Sequence, residues 1–231
     1  MEIYKSLLEG NRQWVQQKLD DDPEYFSNLS RAQTPEVLWI GCADSRVPAN
    51  QITGTNPGDI FVHRNIANMV VHTDMNMLSV LDYAVNVLSV KHVIICGHYG
   101  CGGVLAAMQN QQFGIIDNWL RVIKDVYRLH AEELDAIKDM QERFDRFVEL
   151  NVVEQVLDLS KTSIIQNSWS KRQYPMIHGW VCSLKTGLIK DLDISLGSSD
   201  SLPDIYKLSM PPKEIVMHRN DDDQVRNAKS G

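Results

Sequence analysis

Two short apolar runs, Val37-Leu38-Trp39-Ile40 and Val93-Ile94-Ile95-Cys96, each end at a glycine and give way to a loop of polar, reactive residues. Runs of this length, bounded by turn residues, suit strands buried on both faces better than helices. A third such segment is Asp59-Ile60-Phe61-Val62-His63. Between it and the strand His92 to Cys96, Asp74 can cap a helix, and Met77, Leu78, Val80, Leu81, Tyr83, Ala84, Val87 and Leu88 recur at helical spacing. Strand, helix, strand in that order predicts a parallel sheet joined by right-handed crossovers.

The flanks extend this plan. Residues 2–18 place Ile3, Leu7, Leu8, Trp14 and Val15 near helical spacing, and Asp20-Asp21-Asp22-Pro23 stops that helix before a second short one. From about 117 to 168 the apolar positions step by three and four, which calls for two or three covering helices. Met176 to Ser183 and Leu188 to Ile194, joined through Lys185-Thr186-Gly187, read as a closing hairpin. The expectation is an α/β fold: a mostly parallel central sheet of four strands plus an antiparallel edge strand, flanked by helices. An N-terminal helical arm (1–35) precedes the α/β domain (36–196), and a polar, loosely ordered tail (197–231) follows.

Composition removes several classes of function. With 23 Lys and Arg against 30 Asp and Glu, the net charge is −7 and no basic stripe is present, so a nucleic-acid partner is not expected. Apolar stretches such as Val104 to Met108 fall far short of the roughly 20 residues that span a bilayer, so no membrane partner is expected either. Early acids and the lack of an apolar leader core point to a cytoplasmic protein. Four cysteines in a chain of 231 residues are too few for a disulfide scaffold and read as metal ligands or buried apolar groups.

The chemistry gathers in Gly41-Cys42-Ala43-Asp44-Ser45-Arg46 and Gly97-His98-Tyr99-Gly100-Cys101-Gly102-Gly103. Each follows the C-terminal end of a strand, which is where ligands bind in open α/β sheets. Cys42, His98 and Cys101 then offer two thiolates and one imidazole, a donor set that selects zinc. Three protein ligands leave an open fourth position, the arrangement of a catalytic rather than a structural zinc site. Taken alone, His98 and Cys101 could equally be core residues. Asp44 and Arg46 could be a surface ion pair, or a unit in which Arg46 holds Asp44 toward a zinc-bound water. Cys96, at the end of a strand, reads as a buried apolar group.

These motifs, with Phe61-Val62-His63-Arg64-Asn65-Ile66-Ala67-Asn68 between them, resemble those of the β-class carbonic anhydrases, and more closely the bacterial allosterically regulated type. The resemblance covers about residues 1–196. It implies a zinc enzyme that hydrates CO2 reversibly to bicarbonate and a proton, by attack of zinc-bound hydroxide on CO2. Cys42, His98 and Cys101 would hold Zn2+, and the Asp44–Arg46 dyad would orient the zinc water. Gln33 matches the family's substrate-site glutamine, and the assembly would be a homodimer or homotetramer with active sites at the subunit interface. In the regulated type a noncatalytic bicarbonate is held by a tryptophan, an arginine and a tyrosine. Trp39 and Arg64 match the first two, but Cys182 stands where the tyrosine is expected, and a thiol is a much weaker donor. Two rival functions fit parts of the pattern: hydrolysis of carbon disulfide or carbonyl sulfide on the same scaffold, and a nonenzymatic zinc or thiol sensor using Cys42 and Cys101.

Overall fold

In the computed structural model, which describes residues 2–209, the apolar runs become the inner strands of one five-stranded sheet. The strands are β1 (Val37–Cys42), β2 (Ile60–Asn65), β3 (His92–His98), β4 (Met176–Cys182) and β5 (Ile189–Leu196), in the spatial order β2-β1-β3-β4-β5. Pairing is parallel from β2 through β4, and β5 runs antiparallel to β4 as the expected edge strand. The central strands β1 and β3 bury nearly every residue, which is why they lack the polar alternation of a one-sided strand.

The helices are α1 (Glu2–Asp21), α2 (Tyr25–Leu29), α3 (Ala49–Thr53), α4 (Met75–Asp82), α5 (Gly102–Ala107), α6 (Asp117–Leu129), α7 (Ala131–Ala136), α8 (Met140–Ser160) and α9 (Ser163–Arg172). Asp74 caps α4 as expected, its carboxylate accepting from the Asn76 and Met77 N–H groups. The helix expected to continue to Leu88 instead widens into a π turn at Tyr83–Val87. The region from 117 to 168 holds α6, α7, α8 and the start of α9, more pieces than the two or three expected. The apolar spacing runs through the breaks, while Asp139 and Thr162 cap new helices with their side-chain oxygens.

Helix α8 is the main cover of one sheet face, with Phe147, Val148, Val152 and Val156 buried there. It approaches so closely that a Cβ at Gly97 would lie 2.7 Å from Val152 Cγ2, and one at Gly179 would lie 3.2 Å from both Val152 Cγ1 and Val156 Cγ2. Those two glycines let α8 rest directly on β3 and β4. On the opposite face Trp39 and Trp180 meet edge to face with ring centroids 6.1 Å apart.

The arm behaves differently. Helix α1 buries none of its side chains, and Ile3 and Leu7 remain 79% and 69% exposed. Within the segment expected to be loose, residues 197–209 dock on α9: Leu202 is buried, and Gln166 Nε2 donates to the Tyr206 carbonyl at 2.8 Å. The rest of that segment, 210–231, lies outside the described residues.

Candidate metal centre

Because β1 and β3 are parallel neighbours, with Gly41 beside Cys96, their C-terminal ends finish side by side. Cys42 closes β1 and His98 closes β3. Gly100, at φ +75, turns the chain so that Cys101 returns toward His98 just ahead of α5. The ligand atoms of Cys42, His98 and Cys101 all lie within 4.8 Å of one another and all three residues are buried. The two sulfur atoms are 3.9 Å apart.

The imidazole is oriented as a ligand. His98 Nδ1 donates to the Tyr99 carbonyl at 3.1 Å, which leaves the lone pair on Nε2. That Nε2 is buried and takes no hydrogen-bond partner among the described residues. Asp44 Oδ2, at 3.7 Å, is beyond hydrogen-bond reach of it. A buried lone pair facing two thiols, in a set of one nitrogen and two sulfur donors, fits zinc.

The thiols are electrically coupled. The hydrogen bond from Cys101 is the largest influence on Cys42, and the nearby His98 ring and the Asp44 and Ala67 backbone N–H groups add to it; against the opposing effect of burial they lower its pKa to about 4. The Cys42 hydrogen bond and charge, with burial, push Cys101 far up, although the Gly103 and Val104 N–H groups face its sulfur. Burial alone would lower His98, but the neighbouring Cys42 sulfur and the Tyr99 carbonyl outweigh it and raise the imidazole. The cluster carries one negative charge readily and a second only beside a cation.

Asp44 and Arg46 stand at its edge. Arg46 Nε donates to Asp44 Oδ1 at 2.9 Å and Nη2 donates to Oδ2 at 2.7 Å, while the Arg46 backbone N–H adds a third bond at 3.0 Å. This fork holds the Asp44 carboxyl well below the usual carboxylate range.

The five residues Cys42, Asp44, Arg46, His98 and Cys101 are therefore brought together, and Gln33 is not. Gln33 is exposed in the segment before β1, at the far end from Cys42, and the strand between them spans on the order of 17 Å. Trp39 is buried, with its indole packed against Gly41. Arg64 Nε donates to the Cys42 carbonyl at 2.8 Å and Nη2 donates to the Asp44 carbonyl, so its guanidinium grips the loop backbone. Cys182 is buried, burial pushes its thiol up, and its carbonyl accepts from the Tyr99 N–H at 3.0 Å.

Sequence reasoning passed over one further group. The Tyr99 hydroxyl donates to Glu149 Oε1 at 2.5 Å, Lys190 Nζ donates to the same oxygen at 2.7 Å, and Arg146 Nη1 donates to Oε2 at 3.0 Å. Burial would raise Glu149, but these three donors keep it below its ordinary value. The network ties the loop after β3 to α8 and β5. Its only sequence signal is an acid at a position where α8 turns apolar residues toward the sheet.

Comparison with known proteins agrees with this geometry. The carbonic anhydrase family model matches residues 37–189, from the start of β1 to the start of β5. A carbonic anhydrase of Emericella nidulans is 51% identical over 209 residues, covering 90% of this chain and 92% of the relative. Among solved structures, a tetrameric β-carbonic anhydrase of Sordaria macrospora superposes with a TM-score of 0.81 at 41% identity, covering 85% of this chain and all of that one. The β-carbonic anhydrase of Coccomyxa, solved with acetazolamide, gives 0.80 at 37% identity over 84% of this chain and 87% of its own. A fold, a cysteine–histidine–cysteine cluster and a family match that meet on the same strand ends leave one conclusion: this chain belongs to the β-carbonic anhydrase family.

Proposed function

We propose that the protein hydrates CO2 reversibly to bicarbonate and a proton at a zinc ion held by Cys42, His98 and Cys101. The observation that carries this reading is the buried, unpaired His98 Nε2 facing two thiols beside a forked Asp44–Arg46 pair. When bound, zinc supplies the Lewis acidity that makes water a usable nucleophile near neutral pH. The chain does the rest. Asp44, ionised by Arg46, presents Oδ2 toward the cluster as an acceptor that orients a water O–H. Arg46 also keeps that carboxylate from swinging onto the metal, where it would fill the open position.

Assembly completes the site in this account. Gln33 sits at the wrong end of β1 to serve its own cluster, so it serves that of a partner subunit. The exposed apolar residues of α1 are a surface that such a homodimer or homotetramer would cover, and the Sordaria relatives are tetramers. A reducing cytoplasm suits the four cysteines, all of which are unpaired thiols.

Regulation by a second bicarbonate, expected of the bacterial type, has weaker support. Arg64 spends Nε and Nη2 on the Cys42 and Asp44 carbonyls, and Cys182 is a poor donor. We assign Arg64 instead to holding the loop that carries Cys42 and Asp44.

Stopped-flow CO2 hydration on protein of measured zinc content tests the proposal. Cys42→Ala, His98→Ala and Cys101→Ala each lose zinc and activity, since two remaining protein ligands chelate poorly. Arg46→Ala keeps its zinc and loses turnover; normal turnover in that variant would remove the dyad from the mechanism.

The depressed carboxyl of Asp44 is charged throughout the neutral range, so its contribution is present above its ordinary pKa of about 4 and is lost only as pH falls well below that. Asp44→Asn therefore lowers the pH–rate profile between pH 6 and 9 by a similar factor at every pH. A displaced inflection in that range would show that Asp44 titrates there.

Arg64→Ala separates the two readings of that residue. A loop-holding role predicts at least a tenfold drop in turnover without added bicarbonate. Unchanged basal turnover with relief from bicarbonate inhibition would restore the regulatory reading.

A further inference from the structure

Behind the Cys42 sulfur the chain makes a turn that few sequences tolerate. Ala67 and Asn68, neither of them glycine, adopt left-handed backbone at φ 63 and φ 50. The turn follows directly on Asn65, which pairs with Cys42 across the strands and accepts at its carbonyl from the Ala43 N–H at 2.8 Å. Its entry is locked by Asn65, whose Oδ1 accepts from the Met69 N–H and whose Nδ2 donates to the Met69 carbonyl, both at 2.7 Å. Gly103 admits it from the α5 side, where a Cβ would lie 2.7 Å from Ile66 Cγ2 and 3.4 Å from Ala67 Cβ.

Helix α8 grips the same turn from the core. Asn151 Nδ2 donates to the Ala67 carbonyl at 3.2 Å, and Gln155 Oε1 accepts from the Val70 N–H at 2.7 Å. Asn68, Asn151 and Gln155 are 1%, 1% and 0% exposed. Asn68 Nδ2, Asn151 Oδ1 and Gln155 Nε2 take no partner among the described residues. Unmade hydrogen bonds on buried amides are costly, and apolar side chains of similar shape would pack there at less expense. Buried polar groups kept at such a cost, gripping a strained turn beside a ligand, point to a purpose other than stability.

We propose that Asn151 and Gln155 are positioning residues for the metal centre. They hold the Ala67–Val70 turn in its left-handed form, wedged between the end of β1 that carries Cys42 and the start of α5 that follows Cys101. That wedge fixes how the two sulfur atoms face each other, which sets how firmly they hold a metal. The inference rests on Cys42 being a metal ligand.

The test compares the unmodified protein with Asn151→Leu and Gln155→Met, each close in shape to the residue it replaces. The readouts are the sulfur-to-metal charge-transfer band of the cobalt-substituted protein, zinc release into a chelator, and thermal unfolding. The expected result is a shifted band and roughly tenfold faster zinc release in both variants, with an unfolding temperature equal to or above that of the parent. An unchanged band and release rate, whatever happens to unfolding, overturns the positioning role and leaves the zinc reading intact. A parent protein that takes up no stoichiometric metal overturns the zinc reading itself, and this inference with it. Should neither variant fold, amide exchange at Val70 in the unmodified zinc-loaded protein decides: slow exchange supports the grip of Gln155 on the turn, and exchange at the rate of an open loop refutes it.

Discussion

Two buried sulfur atoms 3.9 Å apart cannot both be thiolates unless a cation sits between them and the neighbouring imidazole. Much of the surrounding structure answers to that constraint. Backbone N–H groups of Asp44 and Ala67 face one sulfur, and those of Gly103 and Val104 face the other. His98 is pinned by the Tyr99 carbonyl so that its free nitrogen points inward. Hydrogen bonds to sulfur stabilise its charge without filling the position where a metal would bind, which packing alone could not do.

The sheet converts this local demand into a tertiary one. Cys42 and His98 meet because β1 and β3 are adjacent and parallel, so both end at the same edge. Keeping that edge flat and close requires α8 to lie on β3 and β4, and Gly97 and Gly179 remove the side chains that would hold it away. The same helix carries Glu149, Asn151 and Gln155, each bonded to a loop beside the cluster. Core packing and the arrangement of the site thus share one element.

Much of this was legible in the amino-acid order. Four-residue apolar runs ending in glycine located β1 and β3, and the reactive residues after them marked the site, because strand ends are where the backbone releases side chains into a common cleft. Helix breaks were harder to see: the apolar spacing from Leu120 to Leu159 continues across the capping residue Asp139, so periodicity alone merges separate helices. The hold of Arg64 on the Cys42 carbonyl was hidden for a different reason: only the pairing of Gly41 with Arg64 across β1 and β2 brings the two together. The docking of residues 197–209 was hidden as well, because Gln166 and Leu202 carry it from within a polar stretch and a helix of weak pattern.

The central claim is that one zinc per chain, held by Cys42, His98 and Cys101, runs CO2 hydration. Titrating metal-free protein with zinc while following CO2 hydration by stopped flow tests it most directly. The account predicts no activity without metal, a linear rise, and a sharp plateau at one zinc per chain, with no rise in a Cys101→Ala variant. Activity independent of zinc, or a fully loaded protein that leaves CO2 unhydrated from pH 7 to 9, would contradict it.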